Sequence, residues 1–133
     1  MTKYLSLGLR ILIAIIFLQT LYFKFSAHPD SVYIFSKLGL EPFGRIGLGV
    51  AELITAILIL LPATRLYGSI LSLGVISGAI ISHLGPLGIE VQGDGGKVFY
   101  LAIIVFAASL TVLWLHRKEC VAWFDRLLKK SES

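Results

Sequence analysis

The chain has 133 residues, of which 56% are hydrophobic and only 15% charged, and its mean hydropathy is +0.86. Soluble domains carry about 25% charged residues, so this chain lacks the polar surface that a water-soluble fold of its size needs. Its length allows one domain, and the composition excludes a disordered chain, a secreted disulfide scaffold and a soluble enzyme.

The charge deficit is concentrated. Residues 66–89 hold no Asp, Glu, Lys or Arg over 24 positions, and residues 98–115 hold none over 18. A membrane-spanning helix needs roughly 20 mainly apolar residues. The net charge of +4 does not point to nucleic acid, because the cations flank apolar segments instead of forming one basic face.

Four spans are expected, at about 4–25, 43–61, 66–84 and 98–115. The first is interrupted only by Arg10 and Lys24. A signal peptide competes for this segment, but Phe25-Ser26-Ala27 puts a bulky ring where a cleavage site needs a small residue, so a retained span is expected. Residues 29–40 follow as an interfacial or re-entrant helix, with Val32, Phe35, Ser36 and Leu38 near one side. The second span carries a single charge, Glu52, and stops at Pro62. The third closes at Gly85-Pro86, and Gly93-Asp94-Gly95-Gly96 signals a turn before the fourth. The tail, 116–133, repeats Cys120, Phe124, Leu127 and Leu128 at helical spacing beside Arg126, Lys129 and Lys130. It reads as an interfacial helix, with Trp114 and Trp123 as belt residues.

The spans must be helices, because lipid leaves no partner for unpaired backbone groups, and they are too long for barrel strands. The expected fold is therefore an all-α four-transmembrane-helix bundle with a C-terminal interfacial helix. Eight Lys and Arg residues fall on the side of the termini and four on the other, which puts both termini in the cytoplasm.

Ionisable groups inside spans are costly and normally face protein. Glu52 sits mid-span, and its helical face carries Arg45, Leu48, Gly49, Thr55, Ala56 and Ile59. That small-residue face admits a neighbouring helix, so Glu52 is expected to point inward toward a cation or donor. Arg10, Phe17 and Lys24 recur every seven residues and share one face of the first span; the two cations lie about 21 Å apart along it. Gln19 lies on the other side of that helix. His83 ends the third span, beside a Gly74-x-x-x-Gly78-x-x-x-Ser82 stripe that offers a close-packing surface. Glu52 and His83 are the candidate proton-handling residues, and Arg10, Lys24, Glu52, His83 and Tyr100 the candidate pocket.

Other chemistries are weaker. Gly95-Gly96-Lys97 is followed by Val98 where a phosphate loop needs Ser or Thr, and residue 91 is Val, not Gly. His28, His83 and His116 have no mutual ligand spacing, so no metal site is expected; a bis-histidine haem on His28 and His83 is the residual alternative. Cys120 stands alone, which excludes an internal disulfide and a Cys-x-x-Cys redox pair.

Taken together, "LRILIAIIFLQTLYFKF" with Arg10, Phe17 and Lys24, the glutamate of "GVAELITAILILL" followed by Arg65, and His83 of "AIISHL" followed by Gly93, Gly95, Gly96 and Tyr100 resemble the DoxX/DoxD-type small membrane proteins. The resemblance runs from the first helix to the last. It departs at Leu21 and Ala14, where the family often has glycine. It implies a four-helix bundle in the bacterial inner membrane. Some relatives are thiosulfate:quinone oxidoreductase subunits, some associate with thiol-stress or superoxide-handling proteins, and distant eukaryotic ones act as cargo receptors or assembly chaperones. The expectation is an accessory subunit of a quinone- or sulfur-linked membrane redox complex. Quinone is its candidate ligand, and the lipid bilayer plus a protein partner or second copy are its company. A membrane scaffold or assembly chaperone without chemistry and a small-solute carrier are the alternatives.

Overall fold

The computed structural model describes residues 2–26, 28–41, 43–90, 93 and 95–132. Six helices follow in order: α1 (Thr2–Phe25), α2 (Pro29–Lys37), α3 (Phe43–Leu60), α4 (Arg65–Leu84), α5 (Lys97–Leu115) and α6 (Arg117–Glu132). Four of them, α1, α3, α4 and α5, are long and apolar enough to cross a membrane. No strand occurs among the described residues. The expected all-α bundle of four spans followed by a C-terminal helix is what the chain forms. Ala27, Val91 and Asp94, which the cleavage-site, phosphate-loop and turn readings touch, lie outside the described residues, as does Ser133 of the tail.

The punctuation is local chemistry. Pro29 opens α2, where its missing N–H costs nothing, and His28 Nδ1 accepts the amide of Asp30 at 3.2 Å. Gly39, at φ 73°, ends it, and the amides of Gly39 and Leu40 return to the Ser36 and Phe35 carbonyls. Nine residues span about 14 Å, too short to cross, so α2 lies on the bundle. It buries Ser31 and Phe35. The expected inward face of Val32, Phe35, Ser36 and Leu38 is corrected at Ser36, which is exposed; the true face runs Ser31, Phe35, Leu38, at spacings of four and three.

The spanning helices form a ring, α1 against α3, α3 against α4, α4 against α5 and α5 against α1. Its centre is filled by Ile13, Phe17, Ile59, Val105 and Val112, and a fully buried Ser72–Ser109 hydroxyl pair at 2.7 Å joins α4 to α5. Close helix approach falls on a different glycine from the expected stripe. A Cβ at Gly68 would lie 2.4 Å from the Ile59 backbone nitrogen, so α4 and α3 touch main chain to main chain there. Gly74 and Gly78 are exposed, and a Cβ on either would meet nothing within 4 Å. The reason is divergence: the short 61–64 connection pins α3 and α4 together at one end, and the stripe faces outward beyond that contact.

Helix α6 leaves the bundle at its α5 end. Val121, Phe124, Leu127 and Leu128 are all exposed along it. Trp123 donates to the Tyr67 hydroxyl at 2.9 Å, and the Arg117 guanidinium sits over the Trp114 ring at 4.4 Å.

Candidate functional site

Three helices build a polar group in the half of the bundle away from the termini. Lys24 near the end of α1 forms an ion pair with Glu52 of α3, Nζ to Oε1 at 3.0 Å, both side chains nearly buried. Thr20, one turn before Lys24, shares its single hydroxyl proton between the other carboxylate oxygen at 3.1 Å and its own Phe17 carbonyl at 2.9 Å. Both carboxylate oxygens are thus engaged, which a buried carboxylate requires. One turn or two along α3, Arg45 donates through Nη1 to the Lys24 carbonyl and through Nε to Glu41 at 2.9 Å. The final carbonyls of α1 have no partner within the helix, so this guanidinium caps α1 while α3 holds its lysine.

On α4, His83 is buried and its Nδ1–H donates to the Gly88 carbonyl at 3.0 Å. A carbonyl only accepts, so Nδ1 carries a proton, and in that tautomer of the neutral ring Nε2 is an acceptor. Phe99 of α5 packs edge-on against the imidazole, centroids 5.7 Å apart.

Lys24, Glu52, Thr20 and His83 all border one cavity of about 520 Å³. Its wall is mainly apolar, from Ile16, Phe17, Val75, Ile76 and Leu101 among others, and Ile34 and Phe35 of α2, with Leu38 just after it, roof it. His28, Asp30 and Lys97 stand at the rim. Small-molecule sites have this character, about 300–1,000 Å³ of mostly apolar wall with a few placed polar groups.

Two sequence candidates are elsewhere. Arg10 donates to the Ile59 and Leu60 carbonyls at 3.0 and 3.3 Å and to Ser6 at 3.2 Å, at the other end of the bundle. Tyr100 is 59% exposed and does not border the cavity; its neighbour Phe99, half-buried, packs on His83 without bordering the cavity itself. Gln19, exposed, edges the cavity. Sequence reasoning missed Thr20, whose signal is its four-residue spacing from Lys24, and the roof residues of α2.

It also missed a second polar cluster around Arg10. Ser6 accepts from Arg10 Nε and shares a second hydrogen bond with His116 Nε2, 2.6 Å away. His116 Nδ1 faces Glu119 at 3.6 Å, and Glu119 is paired with Arg65. Burial, and then the Arg65 cation, hold the His116 pKa below its ordinary 6.5. The hydrogen bond from Arg65 holds the Glu119 carboxyl below its ordinary 4.5. Burial pushes the neighbouring Cys120 thiol up, which keeps it protonated and unreactive. The described residues contain no group of three or more His, Cys, Asp or Glu side chains arranged to hold a metal ion.

Comparison of the chain with protein-family models, with characterised proteins and with solved structures gives no match.

Proposed function

We propose that this chain is a DoxX-like multi-pass protein of the bacterial inner membrane, with both termini in the cytoplasm. In this reading it serves as a quinone-binding accessory subunit of a quinone- or sulfur-linked redox complex. The observation that supports it is the mainly apolar cavity with an ammonium donor, Lys24, on one wall and an imidazole acceptor, His83, on another. A quinone carbonyl accepts from Lys24, whose charge Glu52 balances; a quinol hydroxyl donates to Nε2 of His83 in the tautomer whose Nδ1–H is held by the Gly88 carbonyl. These residues bind and orient the head group, and electron exchange falls to a partner subunit.

The test is binding of decylubiquinone to the purified chain in nanodiscs, followed by calorimetry. Saturable one-to-one binding is expected, weakened about tenfold or more in the Lys24→Met/Glu52→Met double variant, a loss of about 1.4 kcal/mol or more. The double variant removes both charges together and so leaves neither one buried alone. Absence of saturable binding would overturn the reading. The scaffold alternative draws on the exposed apolar face of α6; it gains if partner capture requires Phe124 and Leu127 while quinone has no effect.

A further inference from the structure

We infer that the cavity is filled sideways from the bilayer, through a gap between α3 and α4 whose sill is Gly78, by a lipid-soluble molecule whose tail stays in the acyl layer. The inference rests on the quinone-class reading and specifies its route.

The gap follows from how the two helices meet. At the end near the termini, Gly68 brings the backbones of α4 and α3 into contact. Toward the other end, the residues of this seam that border the cavity are Leu48 on α3 and Val75, Gly78 and Ser82 on α4. Gly78 is both cavity wall and exposed surface. A residue with both properties marks a mouth. The sill itself is open, since a Cβ at Gly78 would meet nothing within 4 Å.

Depth decides what the mouth faces. Gly78 lies about four residues beyond the middle of α4, or about 5–6 Å along the axis. The hydrocarbon core extends about 15 Å to each side of its midplane, so the opening meets acyl chains and not water. The surface beside it is apolar, with Ile81, Leu71 and Ile70 exposed on α4 and Ile54 and Ile57 on α3. A water-soluble solute would have to cross that surface. A prenylated or alkylated head group is already dissolved in it. The head then moves inward to the Lys24–Glu52 pair and His83, leaving its tail in the seam.

Leu40 and Lys97 also border the cavity and are exposed, but Leu40 precedes α3 and Lys97 opens α5, so both lie at the end of the spans and not beside the acyl chains. Gln19 offers the competing door from the bilayer. It is exposed and borders the cavity from α1, at similar depth, but its amide is a polar obstruction in hydrocarbon where Gly78 presents none.

A door and a binding contact separate kinetically. Narrowing a door slows entry and exit alike and leaves the equilibrium constant alone; removing a contact mainly speeds dissociation. The experiment uses the full chain in phosphatidylcholine nanodiscs with Phe99→Trp as a reporter beside His83, quenched by decylubiquinone in a stopped-flow mixer. Gly78→Phe is expected to slow association and dissociation each by about tenfold with Kd within about twofold. Gln19→Phe and Gly74→Phe should leave both rates unchanged. Circular dichroism and gel filtration verify folding, and Gly78→Leu is the second variant if Phe misfolds. Unchanged rates in both Gly78 variants, or slowing by Gln19→Phe instead, overturn the α3–α4 route. Failure of the reporter protein with Gly78 intact to bind any quinone refutes the quinone reading itself.

Discussion

The two ends of the bundle solve the same problem with different results. At each end an arginine donates to the unpaired C-terminal carbonyls of an adjacent antiparallel helix. Arg10 of α1 serves Ile59 and Leu60 of α3, and Arg45 of α3 serves Lys24 of α1. Near the termini most of the remaining polar atoms engage one another, Arg10 to Ser6 to His116 to Glu119 to Arg65, while Arg65 Nε is buried without a hydrogen-bond partner among the described residues. A smaller groove of about 370 Å³ touches this cluster at His116 and Glu119, but not at Ser6, Arg10 or Arg65, and its wall is as polar as it is apolar. At the opposite end Lys24, Glu52, Thr20 and His83 border a larger, mainly apolar volume of about 520 Å³. A polar group within a span is therefore weak evidence for a site. A large, mainly apolar free volume next to such a group is better evidence, because a lipid-soluble ligand can fill it without breaking the fold.

Substitutions can sharpen this contrast. The largest effect is expected from Glu52→Ala, which strands the Lys24 ammonium in a buried setting at a cost of about 3–5 kcal/mol. Unfolding in mixed micelles measures it, and Lys24→Met/Glu52→Met should recover most of the loss. If the single variant is as stable as the native chain, the pair does not exist in the membrane. Arg10→Leu at the other end removes donors from two carbonyls and Ser6 together, and about 1.5–3 kcal/mol is expected from the loss of charged hydrogen bonds. Unlike the Glu52 change, it should leave quinone affinity untouched, and an altered affinity would mean that the two ends are coupled.

Gly68→Val should cost about 1–3 kcal/mol by overpacking against the α3 backbone. Gly74→Val, one and a half turns further along, should stay within about 0.5 kcal/mol, so equal effects would dismiss the divergence of α3 and α4.

The smallest effect is one of pH. The His116 pKa is lowered in the folded chain, so its contribution is complete above 6.5, the unfolded value, and declines as pH falls below it toward the folded value. Glu119, also lowered, contributes above 4.5 and loses its share as pH falls further through its folded value. Thermal unfolding from pH 8 to 4 should therefore show a decline starting near pH 6.5, absent in His116→Asn. A flat profile in the native chain would show His116 to be solvated like a free side chain.

Much of this was legible in residue spacing. The sevenfold recurrence of Arg10, Phe17 and Lys24 places both cations on one face of α1, and both engage α3. The inward turn of Glu52 follows from the expense of a lipid-facing carboxylate. What spacing could not separate was Arg10 from the pocket, since a shared face says nothing about two levels about 21 Å apart. Nor could it choose Phe99 over Tyr100, adjacent residues about 100° apart on a helix, or Gly68 over Gly74 and Gly78 as the close approach. Those choices depend on the rotation and splay of each helix against its neighbours.

By itself, the amino-acid sequence determined that this chain forms four apolar helices and that its few intraspan charges turn away from lipid, because hydrocarbon penalises an unpaired backbone group or ion wherever it lies along the chain. Tertiary packing alone decided which charges meet and where empty volume remains. Partnership and free space depend on how helices distant in sequence lean on one another. One glycine that locks α4 to α3 and a short helix that roofs the opposite end make a cavity from segments that carry no sign of it individually.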